Sequence, residues 1–263
     1  MAQFGIGQAV RRVEDPRLLS GQGNYLDDVN LARQAHAVVL RSPVAHARIR
    51  GIDTTAALES PGVLAIYTGA DIESDDIVQH LDTPGAGAVA PAPIVVPPRE
   101  LLASDTVRFV GDNLAFVVAE TVAQARDAAD LIIVDYEDLP VVTDPEAAIE
   151  EGAPRIWEDA VDNVSCTWTK GDEAGVDEAF AKAHHITTVR LINNRLVVSA
   201  METRGALGDY DPGMGKYTLY ATTQGTNLAR NWLAPSLKVP ISDLRVITPD
   251  VGGGFGMKVM VYP

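Results

Sequence analysis

The chain has 263 residues, and 21 Lys+Arg against 36 Asp+Glu leave a formal charge of −15. With no basic run longer than Arg11-Arg12, that balance argues against nucleic-acid and anionic-membrane partners, both of which need clustered cations. A single cysteine, Cys166, excludes an internal disulfide and any iron–sulfur cluster held by several cysteines of this chain. The amino terminus lacks the basic start and apolar core of a secretory signal. No run approaches the apolar length of a spanning helix, so a cytoplasmic chain without a transmembrane segment is expected.

Apolar patterning predicts a strand over 36–40, a short helix over 53–58 and a strand over 63–67. Five prolines between Pro84 and Pro98 forbid a regular helix there and predict a long surface loop. Beyond it the rhythm repeats, with a strand over 113–119, an Ala-rich helix over 122–130 capped by Thr121, and a strand over 131–136. Two β-α-β units read as one α+β domain ending near Pro145, where Asp144 starts a short helix that Gly152-Ala153-Pro154 breaks.

The second region predicts a strand over 163–169 with Cys166 as a buried, inert thiol, a helix over 177–183, and strands over 184–193 and 196–200. Asp211-Pro212-Gly213-Met214-Gly215 predicts a turn joining strands over 206–210 and 216–222. A helix over 228–233 and a strand over 244–247 follow, and the strand leads into Gly252-Gly253-Gly254-Phe255-Gly256. So few residues follow this turn that the region reads as an unfinished domain.

Glycines at 252, 253, 254 and 256 permit positive φ and close approach to backbone N–H groups, a geometry suited to phosphate or oxo groups. A tight structural turn reads the same residues equally well. Both dinucleotide registers fail, at Met257 and at Val259, and a phosphate-loop register fails at the same two positions despite Lys258. Gln224, at a predicted strand-to-helix junction, carries a donor and an acceptor without charge. Alone it reads as a capping residue, and its interest comes from pairing with the glycine turn. Glu202 and Arg204, two apart in Met201-Glu202-Thr203-Arg204, read as a structural ion pair. The five histidines share no metal-ligand spacing, so no protein-ligated metal site is expected.

Taken together, the run over 5–28, Arg41-Ser42-Pro43-Val44-Ala45-His46-Ala47-Arg48, Met201-Glu202-Thr203-Arg204, Thr223-Gln224-Gly225 and the turn through Lys258 carry a resemblance. The chain resembles the molybdenum-binding large subunit of the xanthine dehydrogenase / aldehyde oxidase / carbon monoxide dehydrogenase family. The resemblance implies an α+β architecture: an amino-terminal arm (1–18), an α/β hammerhead domain (19–145) and the first, incomplete part of a molybdopterin-cofactor-binding domain (146–263). It implies a molybdenum-dependent oxidoreductase that oxidises an aldehyde, an N-heterocycle, CO or a similar small molecule with water as the oxygen source. Molybdopterin, as such or in its cytosine dinucleotide form, would carry the chemistry.

Partners implied are the remainder of the molybdenum subunit, an iron–sulfur small subunit with 2Fe-2S clusters and an FAD medium subunit, assembled as a dimer of heterotrimers. By position, Gln224 would hydrogen-bond an oxo ligand. Gly253, Gly254, Phe255 and Gly256 would present backbone N–H groups and set Phe255 beside substrate. The family's base glutamate falls beyond a position equivalent to 263, so no catalytic residue is expected on this stretch. Val259 stands where purine-oxidising members resemble one another in having glutamate, which disfavours purines, and Thr203 replaces the family's usual proline. A non-catalytic assembly or interaction fragment of such a complex is the alternative reading.

Overall fold

The computed structural model describes residue 7 and residues 9–74 and 94–262. In chain order these form α1 (Asp15–Leu19), β1 (His36–Arg41), β2 (Ala47–Asp53), α2 (Thr55–Leu58), β3 (Val63–Thr68), α3 (Gly69–Ser74), β4 (Thr106–Val107), β5 (Asn113–Ala119), α4 (Val122–Ala129), β6 (Ile133–Asp138), α5 (Glu173–Lys182), β7 (Ala206–Asp211), β8 (Lys216–Ala221), α6 (Thr226–Ser236) and β9 (Leu244–Ile247). The chain divides into two compact units. One is centred on Gln34–Val197, and the other joins the chain up to Arg33 with Val198–Ala234 and Val239–Met260.

In the first unit β5 is the central strand of an antiparallel sheet ordered β1-β5-β3. Alternate β5 side chains, Ala115, Val117 and Ala119, are fully buried and meet Ala125, Ala128 and Ala129 of α4. Alanine on both faces lets helix and sheet approach closely, so the hydrophobic core here is thin and dense. Thr121 Oγ1 caps α4 by accepting the Gln124 N–H at 3.2 Å, the role expected of it. A second antiparallel sheet, β4-β2-β6, rests on Ala47, Ala103, Val107 and Leu114.

The β-α-β rhythm is present, but it does not build a parallel sheet. β5 and β6 flank α4 in sequence and lie in different sheets, and β1 and β3 are both antiparallel to β5. Strand β2 was not legible in the sequence, because its burial is irregular around a bulge between Ile49 and Gly51. β6 begins two residues later than its pattern indicated. The Pro-rich loop expectation lies outside the described residues as far as 93.

Three further expectations are corrected. Residues 164–170 form no strand and are exposed, tied at Ser165 to Val95 by an N–H···O bond of 2.9 Å and a hydroxyl bond of 2.7 Å. Cys166 is therefore exposed rather than buried. Residues 184–200 keep the apolar pattern of strands but join no sheet among the described residues, and Leu191, Leu196 and Val197 are each at least 85% exposed. Alternation specifies a strand only where a neighbour supplies the hydrogen-bond ladder. The helix expected over 177–183 starts earlier, because Asp172 accepts the Gly175 N–H at 3.0 Å and caps α5.

In the second unit β7 and β8 form the expected hairpin, and Asp211 Oδ1 accepts the N–H groups of Gly213 and Met214 at 2.8 and 3.2 Å. The chain then crosses through α6 and returns as β9, parallel to β8. The arm belongs to this unit. Arg17 donates both terminal nitrogens to Asp250 at 2.6 and 2.7 Å, while Asn24 and Asp250 exchange further bonds of 2.8 Å.

Candidate functional site

Gln224 sits where the sequence placed it, between the end of β8 and the start of α6. Its backbone N–H donates to the Lys258 carbonyl at 2.9 Å. Thr223 Oγ1 donates to the same carbonyl at 3.1 Å and accepts the Gly225 N–H at 3.1 Å, so the junction is fixed from both sides. The side-chain oxygen of Gln224 turns into the glycine turn and accepts the N–H groups of Gly256 at 3.0 Å and Lys258 at 3.2 Å. With Oε1 engaged by two donors, the amide nitrogen is the end of the side chain that remains to donate.

The glycines serve this packing in distinguishable ways. A Cβ on Gly254 would lie 2.6 Å from Cδ of Gln224, and one on Gly252 would lie 2.5 Å from Cβ of Glu202. These two residues are glycine because the turn presses against Gln224 and Glu202. Gly253 and Gly256 have φ of +102° and +87°, and a Cβ on Gly256 would meet open space. Phe255 has φ of +52°, a conformation that costs a non-glycine residue roughly 1–2 kcal/mol. The residue is 76% exposed.

Of the turn's N–H groups, that of Gly256 belongs to Gln224. Those of Gly254 and Phe255 meet no protein acceptor among the described residues. Beneath the turn, Glu202 forms an ion pair with Lys258, where the sequence suggested Arg204 as its partner. The lysine side chain is wholly buried, and Nζ donates to the Glu202 carboxylate at 3.0 Å and to the Glu202 carbonyl at 2.9 Å. Glu202 also accepts the Gly252 N–H at 2.7 Å. Burial pushes the Glu202 carboxyl up, but the Gly252 and Leu26 N–H groups and the Lys258 ammonium outweigh it, holding the carboxyl below its ordinary value. Next to Glu202 lies a recess of about 390 Å³ lined by Tyr25, Met201, Thr203, Arg204 and Thr222, among others.

Sequence reasoning found Gln224 and the turn but gave Lys258 no role. The available signal was a lone cation in the apolar stretch Val259-Met260-Val261 that follows it, since a lysine among apolar neighbours is either exposed or buried with a partner. Among the described residues no group of three or more His, Cys, Asp or Glu could hold a metal ion, and no helix is long and apolar enough to cross a membrane.

Residues 20–140 match the model of the aldehyde oxidase and xanthine dehydrogenase a/b hammerhead domain, and residues 156–263 match that of the molybdopterin cofactor-binding domain. The chain belongs to the xanthine dehydrogenase / aldehyde oxidase family of molybdenum-binding large subunits. It is similar to the nicotine 6-hydroxylase large subunit of Paenarthrobacter nicotinovorans, with 42% identity over 98% of this chain and 31% of that protein. The carbon monoxide dehydrogenase large chain of Hydrogenophaga pseudoflava is 34% identical over 100% of this chain and 33% of its own length. Among solved structures, the reconstituted CO dehydrogenase from Oligotropha carboxidovorans gives a TM-score of 0.86 at 36% identity, covering 98% of this chain and 32% of that one. The chain thus spans about a third of the length of these relatives. The hammerhead fold and the partial cofactor domain match the architecture that the sequence resemblance implied.

Proposed function

We propose that this chain supplies one wall of the molybdenum site in a complex that oxidises an aldehyde, an N-heterocycle, CO or a similar small molecule with water as the oxygen source. The observation that carries this reading is the Gln224 amide, whose oxygen is held by Gly256 and Lys258, so that its nitrogen is available as a neutral donor. A neutral donor suits an oxo ligand because it stabilises negative charge there without competing for the metal. The residues fit the group. The free N–H groups at Gly254 and Phe255 add donors, and the nearby Glu202 carboxylate is engaged by Gly252 and Lys258, so it presents no unpaired charge to an anionic cofactor.

Molybdopterin or its cytosine dinucleotide form, when bound, supplies the two-electron oxidation. The chain's own contribution is positional. Gln224 and Gly253, Gly254, Phe255 and Gly256 would contact the cofactor, and Phe255, exposed and fixed in the left-handed region, would flank the substrate. Nicotine and carbon monoxide in the names of two relatives support N-heterocycles and CO as substrate classes in this proposal, and Val259 after the lysine disfavours purines, although xanthine dehydrogenase subunits stand among the relatives too. Partners in this proposal are the remainder of the molybdenum subunit, a 2Fe-2S small subunit and an FAD subunit, in a cytoplasmic dimer of heterotrimers. The boundaries 1–18, 19–145 and 146–263 mark its arm, hammerhead and cofactor portions.

In the assembled complex, Gln224→Ala is expected to lower kcat by roughly 10²–10³, the usual effect of removing one preorganised donor, with molybdenum content retained. Unchanged turnover would remove the role. The exposed apolar residues along 186–197 favour a second reading, a docking module without catalytic function. Co-purification with partner subunits but without molybdenum would establish that reading instead.

A further inference from the structure

We propose that Lys258 and Glu202 are positioning residues that set which end of the Gln224 amide faces the ligand. This rests on the donor role of Gln224 given above and deepens it.

A primary amide can be turned over in its site at little steric cost, exchanging donor for acceptor, so its orientation must be fixed by its neighbours. Here the neighbours are two backbone N–H groups, of Gly256 and Lys258, which converge on Oε1 at 3.0 and 3.2 Å. Both N–H groups lie on the stretch that leaves the glycine turn, and that stretch is anchored by the Lys258 side chain. Nζ runs inward to complete burial and ends on the carbonyl and carboxylate of Glu202 at 2.9 and 3.0 Å. The same carboxylate takes the Gly252 N–H at 2.7 Å, and Gly252 O takes the Glu202 N–H at 3.2 Å.

Glu202 therefore ties both sides of the turn, Gly252 before it and Lys258 after it. The circuit closes because Lys258 O accepts the Gln224 and Thr223 donors. Within this ring Phe255 is kept in the left-handed region, and a Cβ at Gly254 would strike the Gln224 side chain. A shift of the Lys258 and Gly256 backbone away from Oε1 would lengthen both of these bonds, and an amide no longer held at its oxygen would present a mixture of donor and acceptor. A buried lysine fully paired with a carboxylate is a poor route to stability, because both ions must leave water. Holding a donor in one orientation is a function that such a pair can perform.

The test uses the full chain without cofactor, followed by amide hydrogen exchange and by the side-chain NH2 signals of Gln224. In the unsubstituted chain, Gly256 and Lys258 amides should be protected together, and Gln224 should show one sharp pair of NH2 signals. Rapid exchange at either amide would overturn the proposal without any variant. Glu202→Gln with Lys258→Met removes both charges and so leaves neither ion buried alone. It should fold, keep protection at Val117 in the other unit, raise exchange at Gly256 by about tenfold or more, and broaden or split the Gln224 NH2 signals.

Retained protection and unchanged NH2 signals in that double variant would overturn the positioning role. In the assembled enzyme the same variant should lower kcat while KM and molybdenum content hold, whereas Lys258→Arg, which keeps the charge, should restore part of kcat. If exchange behaves as expected but Gln224→Ala leaves turnover unchanged, the positioning stands and the donor role of Gln224 fails. The two ideas are thus separable.

Discussion

Gly252→Ala gives the sharpest test of how the turn is built. The added Cβ would lie 2.5 Å from Glu202 Cβ, 3.3 Å from its N and 3.5 Å from its Cα. Carbon atoms pack at about 3.5–4.0 Å, so the turn and the Glu202 segment must part by about 1 Å. These are main-chain atoms and a Cβ, and no rotamer change can relieve the contact. Parting them weakens the 2.7 Å bond from Gly252 N–H to the Glu202 carboxylate and the 3.2 Å bond from Glu202 N–H to Gly252 O.

Overpacking costs roughly 1–3 kcal/mol, and a hydrogen bond to a charged group contributes roughly 1.5–3. Part of each is recovered by relaxation, which leaves about 3 kcal/mol. Gly256→Ala is the control. Its φ is +87° but nothing lies within 4 Å of the added methyl, so only the left-handed penalty of roughly 1–2 kcal/mol applies. Amide exchange in β8, which reports opening of this unit, should accelerate about a hundredfold in Gly252→Ala and clearly less in Gly256→Ala. The reverse order would refute the claim that close approach, rather than backbone angle, selects glycine at 252.

Acid should loosen the same unit. Asp250 is held well below the ordinary carboxylate range, first by the Arg17 hydrogen bond and then by the Asn24 N–H, and Glu202 is lowered as well. The unfolded chain therefore takes up protons at higher pH than the folded one. The stabilisation is complete only above about pH 5 and is lost as pH falls through the ordinary carboxylate values toward the folded ones. Constant β7–β9 amide protection between about pH 5 and about pH 3 would contradict this.

In the first unit, Arg108 lies 3.8 Å from the Trp157 ring centroid and donates to the carbonyls of Thr106 and Ile156 at 3.2 and 3.3 Å. Arg108→Ala should cost about 1–2 kcal/mol in urea denaturation, and lysine should not restore it because it lacks the planar fork. Full rescue by lysine would show that charge alone matters there.

Local chemistry determined much of this molecule. Thr121 before an Ala-rich run dictates a capped helix. Asp211 followed by Pro212 and Gly213 dictates a hairpin, and four glycines in five residues mark a tight turn. Gln224 at its junction was legible for the same reason, since a strand ending at Ala221 and a helix starting at Thr226 leave it at the point between them. Each of these signals lies within a few residues of chain, where sterics and short hydrogen bonds act alone.

Tertiary structure decided the rest. Nothing local says that β5 and β6 fall in different sheets, that the alternating residues 184–200 find no ladder among the described strands, or that Cys166 stays exposed. Strand pairing and burial depend on which distant segment arrives alongside. The site shows this most plainly, because Glu202 and Lys258 stand 56 residues apart and Arg17 and Asp250 stand 233 apart. A charge can be removed from water only where a partner of opposite sign is already waiting. That partner is a property of the fold, so the pair that holds the Gln224 amide in place could be seen only once the chain had closed on itself.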